Sequence, residues 1–194
     1  CMLATKISFI NEIATMCEHL GADISQVRKG ITSDRRIGRY FLYPGVGYGG
    51  SCFPKDVKAL LKTGSECGYM PKIVHAAEQV NAEQKFRFFE KISAHFNNDL
   101  KGKKILLWGL SFKPNTDDCR EARSIELIKK LQKLGVHINA YDPVAMPNAK
   151  KVLTGVNFFD DPYQALRNSD GLVLVTEWQE FKDLNLRKVK RIIN

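Results

Sequence analysis

The apolar residues of this chain change rhythm near residue 100, and that change restricts the fold more than any single motif does. Before it they recur at helical spacing. Leu3, Ile7, Ile10, Ala14 and Cys17 step by four and three, a stripe down one helix face that Gly21 stops. Asp23 with Gln26 three residues on reads as a capping box for a second helix closing near Gly30. A loop rich in Gly and Tyr occupies 39–51, and Pro54 then suits the first turn of a helix reaching about residue 62. From 71 to about 97, Val74, Ala77, Phe89, Ile92 and Phe96 lie on related faces of one long helix.

After the stretch AsnAsnAspLeuLysGly at 97–102, short continuous apolar runs alternate with helical patterns. Residues 104–108 read as a buried parallel strand ending at Gly109, 136–142 as a second and 171–176 as a third. Between them, Ile125, Ile128, Leu131 and Leu134 mark a helix that Gly135 stops, and 162–169 mark another. Strand–helix–strand alternation of this length predicts a doubly wound parallel sheet. The expected class is therefore α/β: an all-helical domain over 1–98, then a Rossmann-like doubly wound domain over 99–194.

Composition narrows the function classes. With 194 residues, 44% hydrophobic and 26% charged, the chain has enough apolar material for a real core and is neither disordered nor collagen-like. No apolar run approaches the roughly 18 residues of a membrane span, and no leader pattern opens the chain. Five widely spaced cysteines, with no CxxC pair and no Cys/His cluster, predict free thiols in a reducing cytoplasm and no metal site. The formal charge of +9 raises nucleic acid as a partner. Acids are interspersed throughout, however, and there is no run of five like charges, so no nucleic-acid partner is expected.

The segment with chemistry in it is 45–56, GlyValGlyTyrGlyGlySerCysPheProLysAsp. Its glycines permit positive φ and a close approach of backbone to ligand. It is neither a Walker loop, since no GlyLys[Ser/Thr] follows, nor a dinucleotide fingerprint, since no strand enters it. Cys52 precedes a helix whose unsatisfied N–H groups and positive dipole end favour a thiolate. Asp56 lies one turn further on, placed to orient water or accept a proton. Local physics alone fits covalent thiol catalysis and fits equally a glycine-rich turn with an incidental cysteine.

GYGGSCFPKD at 47–56 resembles the active-site segment of the UDP-glucose branch of the nucleotide-sugar dehydrogenase family. LATKISFINEIATMCE at 3–18, DRRIG at 34–38, GLSFKPNTDDCRE at 109–121, YDP at 141–143 and TEW at 176–178 fall in the family's order and spacing. The resemblance implies an enzyme that oxidises a sugar C6 alcohol twice with NAD, UDP-glucose giving UDP-glucuronate. It implies Cys52 as the nucleophile that forms a thiohemiacetal and then a thioester, with Asp56 as base or water-orienting group. Phe41, Leu42, Tyr43, Gly45 and Gly49 would line the sugar and nucleotide, and Lys113 would meet the UDP. Arg120 would reach the NAD pyrophosphate, with Lys55 near the same cofactor. Arg36 would cross a homodimer, built through the helix over 3–18, to a neighbour's UDP-sugar. Taken alone, Lys113 and Arg120 are ordinary loop cations, Arg35–Arg36 a basic surface, and Tyr40, Tyr43 and Tyr48 packing residues.

The resemblance also implies that an N-terminal NAD-binding domain with GlyxGlyxxGly belongs ahead of Cys1 and that the C-terminal domain continues past Asn194. The chain alone is then expected to be inactive. His19, His75, His95 and His137 match no family role and read as exposed or structural. Asp142 ends a strand where an NAD domain keeps its ribose-binding acid. The first turn is GlyLeuSerPheLys, so no NAD role is assigned to it. Two other readings stand beside this one: a dehydrogenase of GDP-mannose or a UDP-N-acetylhexosamine, and a non-catalytic oligomerisation or nucleotide-binding module.

Overall fold

A computed structural model describes residues 1–167, 169–182 and 185–193 of the chain. It divides into two compact units, one of residues 1–88 and one from Phe89 onward.

The first unit is helical: α1 (Met2–Leu20), α2 (Ile24–Ser33), α3 (Phe53–Glu66) and α4 (Lys72–His95), the last running on past residue 88. Gly21 ends α1 in the left-handed region at φ 67°, where its missing Cβ costs nothing. Asp23 caps α2 by accepting the Ser25 N–H at 2.7 Å. The helix then continues through Gly30 to Ser33 rather than closing at the glycine.

The buried face of α1 contains Ile10 and Cys17 of the apolar stripe and extends to residues outside it. Ala4, Ser8, Ile10, Asn11 and Cys17 are buried, whereas Leu3 is exposed. The buried face packs against backbone: Ser8 Oγ donates to Ala77 O at 2.6 Å, which ties α1 to α4. Small and polar residues permit that approach where leucine would hold the helices apart. Hydrophobicity alone therefore misses the small and polar members of the face, Ala4, Ser8 and Asn11. Met2, Phe9, Met16 and Leu20 remain exposed along the same helix.

The second unit holds four parallel strands, β1 (Lys104–Trp108), β2 (His137–Tyr141), β3 (Val156–Phe158) and β4 (Gly171–Leu174), in the order β3-β2-β1-β4. Helices α5 (Arg123–Lys133), α6 (Met146–Ala149), α7 (Pro162–Leu166), α8 (Gln179–Lys182) and α9 (Leu186–Ile192) complete it. Strand β3 is absent from the sequence reading. It is three residues long, centred on Asn157, and has no apolar run to announce it. Ile105, Leu106, Leu107 and Trp108 of β1 are all buried, as expected of a central strand covered on both faces. Leu106, Trp108, Tyr141, Ala165, Leu166, Trp178, Phe181 and Val189 form one core, with the Trp108 and Phe181 rings stacked 5.1 Å apart. Among the described residues no helix is long and apolar enough to cross a membrane.

The strand order reverses direction between β1 and β4, and open α/β sheets bind ligands outside the carboxyl ends of strands at such a point. There Gly109 has φ 90°, and a Cβ on it would lie 2.5 Å from the Thr176 amide nitrogen. Gly109→Ala should therefore destabilise the chain by about 2 kcal/mol or more through combined backbone strain and clash. Gly45→Ala, where a Cβ meets open space, should stay within about 0.5–1 kcal/mol. Urea unfolding followed by far-ultraviolet circular dichroism, which reads both units, separates the two outcomes.

Candidate functional site

In the first unit the glycine segment forms a loop with no ladder of its own, and buried side chains take over its backbone hydrogen bonds. Asn11 Oδ1 accepts the Gly45 N–H at 2.8 Å, and Gln84 donates to Gly45 O at 2.7 Å. Asn81 brackets Tyr48, its Oδ1 accepting the Tyr48 N–H at 2.7 Å and its Nδ2 donating to Tyr48 O at 3.3 Å. The Tyr48 hydroxyl donates to Glu78. Helices α1 and α4 thereby hold the loop from two sides. Asn81 and Gln84 sit three apart on one face of α4. These clamping residues are missing from the sequence reading; the one signal for them was polar residues at core phase, at Asn11 and Asn81.

The clamped loop delivers Cys52 to the N-cap of α3. The helix begins at Phe53 with Pro54 in its first turn, and Asp56 N–H donates to Cys52 O at 2.8 Å. Cys52 is exposed, and its sulfur lies 3.7 Å from Ser51 Oγ. Phe53 anchors this end. Its ring lies 6.0 Å from both Phe41 and Tyr48, and it packs on the small core of Ala4, Tyr48 and Val57. The sulfur thus faces solvent while the residue beside it is fixed in hydrocarbon. Asp56 is exposed one turn on and pairs with Lys55 at 3.5 Å.

The remaining sequence-picked residues of this unit divide by exposure. Phe41, with φ 63°, and Tyr43 are exposed; Leu42 is buried and its carbonyl accepts the Arg28 Nε–H. The Arg28 guanidinium stacks 3.9 Å over the Tyr43 ring. Gly45 is exposed and Gly49 buried. The Arg39 guanidinium, hydrogen-bonding and lending its charge to Tyr40, holds that phenol below its usual range. Arg36 points into solvent on a fork with Asp34, and Asp34 is held below the usual carboxylate range by that guanidinium.

In the second unit Lys113 and Arg120 share the loop after β1, which closes on itself where Phe112 N–H donates to Asp118 O at 3.0 Å. The loop hangs from Asp142, which is fully buried. Its Oδ2 accepts from Leu110 N–H at 2.7 Å, Ser111 N–H at 3.2 Å and Trp178 Nε1–H at 3.0 Å. Its Oδ1 accepts from Val144 and Ala145 N–H at 2.9 and 2.6 Å. GLS, YDP and TEW, far apart in sequence, meet on this one carboxylate. Ser111 Oγ donates to Lys113 O at 2.9 Å, and Thr176 Oγ1 donates to Ser111 O at 2.5 Å. All four histidines are exposed. No group of three or more metal-ligating side chains occurs among the described residues.

Five free thiols have five different settings. Cys119 is half-buried, and burial first, then the carboxylates of Asp142, Asp118 and Asp117, push it up to about 12.

The family model for the central domain of the UDP-glucose/GDP-mannose dehydrogenase family matches residues 1–83, and the model for that family's UDP binding domain matches residues 106–194. A UDP-glucose 6-dehydrogenase of Bacillus subtilis is 45% identical over 192 residues, 98% of this chain and 41% of that protein. Among solved structures, a UDP-glucose dehydrogenase from the archaeon Pyrobaculum islandicum aligns with a TM-score of 0.89 at 37% identity, over 95% of this chain and 43% of that one. A GDP-mannose dehydrogenase from Pseudomonas aeruginosa aligns at 0.66 and 29% identity, over 93% and 43%. The chain spans about two fifths of the length of these relatives.

Two measurements check the site. Asn81→Leu strands the Tyr48 amide and carbonyl and should cost about 3 kcal/mol, with loss of amide-exchange protection at Tyr48; Asn81→Asp, which keeps the acceptor, should retain that protection. At pH 8 Cys119 should alkylate roughly fiftyfold more slowly than a small-molecule thiol of ordinary pKa, after allowance for its greater nucleophilicity. Its rate should rise about tenfold per pH unit as the thiolate population grows. Peptide mapping after timed iodoacetamide treatment reads this directly.

Proposed function

Since the chain belongs to the UDP-glucose/GDP-mannose dehydrogenase family, we propose that it supplies the middle and C-terminal part of an NAD-dependent oxidoreductase that converts UDP-glucose to UDP-glucuronate by two oxidations at C6. The observation that carries the reading is the Cys52 thiol, exposed at a helix N-terminus at the end of a loop whose backbone is clamped by buried amides. Identity of 45% to a UDP-glucose enzyme, against 29% to a GDP-mannose enzyme, favours glucose as the sugar.

In this reading Cys52 acts on the aldehyde left by the first oxidation. Its sulfur adds to the C6 carbonyl carbon to give a thiohemiacetal; loss of hydride from that carbon leaves a thioester. Water adds to the thioester, the C–S bond breaks, and carboxylate and thiol result. Asp56, four residues on, orients that water or takes its proton. Phe41, Leu42, Tyr43, Gly45 and Gly49 form the wall toward sugar and nucleotide, Leu42 through its backbone because its side chain is buried. Lys113 meets the UDP, and Arg36 reaches the UDP-sugar of a neighbouring chain.

NAD accepts the hydrides when bound. The exposed guanidinium of Arg120 has the donor geometry that suits a pyrophosphate, and Lys55 is an exposed cation beside Cys52. Asp142 stands at the ribose-acid position of a dinucleotide domain, but both its oxygens are taken up inside the protein. We therefore assign the second unit a contact on the edge of NAD, and the chain alone turns over no substrate.

We further assign the helical domain to 1–98 and the UDP-binding domain to 99–194. A homodimer forms through the exposed apolar face of α1 at Met2, Phe9, Met16 and Leu20, in a reducing cytoplasm that keeps Cys52 a thiol.

In a protein that joins this chain to a dinucleotide-binding domain, Cys52→Ser should lower UDP-glucuronate formation at least about a thousandfold and leave UDP-glucose affinity within about threefold. The chain by itself, given UDP-glucose and NAD, should produce no absorbance at the NADH wavelength. Retained turnover in the serine variant, or NADH from the isolated chain, overturns the corresponding assignment. Turnover of GDP-mannose or a UDP-N-acetyl sugar ahead of UDP-glucose overturns the choice of sugar.

A further inference from the structure

The segment between α2 and the glycine loop has no ladder partner either, and cationic side chains hold its carbonyls. Lys6 of α1 donates to Ile37 O at 2.9 Å. Arg28 of α2 donates through Nε to Leu42 O, and its Nη2 lies 3.5 Å from Arg39 O. The same guanidinium lies over the Tyr43 ring, 3.9 Å from its centroid. One half-buried side chain thus touches the chain on both sides of Phe41.

Phe41 is the residue that needs such support. It closes a turn at residues 40–41 with φ 63°, in the left-handed region that a bulky side chain rarely adopts. Asparagine and aspartate tolerate that region by hydrogen-bonding locally through their own side chains. Phenylalanine has no such bond to make. A strained conformation of this kind persists only where its surroundings over-determine it, and such residues gather at ligand-contacting sites. The Phe41 ring meets Phe53 at 6.0 Å but stays exposed. Burial therefore supplies part of the restraint, and the contacts of Arg28 on either side supply the rest.

These contacts are separate from those that hold Cys52. The stretch from Gly45 to Tyr48 hangs from Asn11, Asn81 and Gln84, on α1 and α4. Residues 39–43 hang from α2. That helix has no buried residue of its own, so Arg28 is committed to the loop and not to a core.

We propose that Arg28 is a positioning residue for substrate: its guanidinium fixes the Leu42 carbonyl and the Tyr43 ring, and so presents Phe41 to the nucleotide sugar in the left-handed conformation. The proposal rests on the reading that Phe41, Leu42 and Tyr43 form the wall toward sugar and nucleotide. A loop ordered before the ligand arrives has no freedom left to lose on binding. Because the Cys52 loop has its own clamps, the effect falls on binding and spares the chemical step.

Charge alone makes a different forecast. A cation near an anionic nucleotide attracts it from a distance, and any cation at position 28 then serves. Positioning requires the planar guanidinium, which donates from its edge while its face lies on a ring; an ammonium reproduces neither feature.

In a protein that joins this chain to a dinucleotide-binding domain, steady-state kinetics with UDP-glucose would compare Arg28→Ala, Arg28→Lys and Phe41→Ala with wild type. Arg28→Ala should raise KM at least about tenfold, the factor for one hydrogen bond from a charged donor. Its kcat should stay within about threefold, the pattern of an interaction made equally in ground and transition states. Arg28→Lys should raise KM at least about threefold, whereas charge alone leaves it at the wild-type value. Phe41→Ala should raise KM as well. Far-ultraviolet circular dichroism checks that each variant is folded, and Arg28→Lys, the milder change, carries the test if Arg28→Ala is not. In the 194-residue chain, ¹⁵N spectra should show an Arg28 Nε–H that exchanges with water more slowly than that of the exposed Arg35.

Raised KM with little change in kcat for the folded Arg28 variants, raised KM for Phe41→Ala, and the slow Nε–H together support the proposal. Raised KM in Phe41→Ala beside wild-type KM in Arg28→Lys overturns the positioning role and leaves the underlying reading intact. So does an Arg28 Nε–H that exchanges as fast as that of Arg35, or a kcat that falls as far as KM rises. Wild-type KM in Phe41→Ala overturns the reading and the proposal with it.

Discussion

The amide groups of two irregular loops have no strand or helix to pair with, and buried oxygens from elsewhere in the same unit accept them instead. An unpaired backbone N–H away from water costs about as much as a lost hydrogen bond, so each loop depends on its acceptors. In the helical unit these are Asn11 and Asn81, which take the N–H groups of Gly45 and Tyr48. In the sheet unit the acceptor is Asp142, which takes those of Leu110, Ser111, Val144 and Ala145. Neutral amides suffice for the first loop, because Asn81 both accepts from and donates to Tyr48 as a strand neighbour would. On the second, one carboxylate gathers donors from the loop after β1, the turn after β2 and Trp178. These acceptors turn flexible sequence into fixed geometry, and the first loop ends at Cys52, the N-cap of α3.

The same constraint explains what the sequence made legible. Six helices and three strands follow from periodicity, caps and stop residues: Gly21 and Gly135 fall where the left-handed region ends a helix or its turn, and Pro54 lies in the first turn of α3. What periodicity misses is polar burial. The face of α1 that packs inward carries Ile10 and Cys17 of the apolar stripe together with Ala4, Ser8 and Asn11, so the stripe finds part of that face and misses its small and polar members. Nothing in a one-dimensional pattern marks Asn81 as an acceptor for a residue 33 positions away. Strand β3 fails for a different reason. It is held by the β2 edge rather than by its own three residues.

Candidate chemistry was more legible than its support. Cys52 and Asp56 stand together because four residues on a helix make one turn, and the glycines around them advertise a backbone in unusual conformations. Among the five thiols the surroundings discriminate: Cys17 lies in a core, and Cys119 is suppressed by burial and three carboxylates. Cys52 is exposed at a helix start, as Cys1 is, and only Cys52 follows a loop clamped by Asn11 and Asn81. Arg36 and Arg120 read as ordinary loop cations until the fork with the preceding aspartate is seen.

Asp142 shows how a nucleotide-binding topology can lose one ligand contact and keep its binding edge. The strand order β3-β2-β1-β4 is that of the first four strands of a dinucleotide-binding sheet, in which the acid after the second strand faces the adenosine ribose. In this chain the turn after β1 lacks the glycines that let a pyrophosphate approach, and Trp178 Nε1 reaches in to donate to the acid instead. An acid with five donors has no lone pair directed at a ribose, and breaking that set to admit one would leave buried N–H groups unpaired at about 1–3 kcal/mol each. The carboxylate therefore serves as internal support at the carboxyl end of β2, next to the β1–β4 switch point of the sheet. Lys113 and Arg120 are the exposed cations of the β1–α5 loop hung from that support.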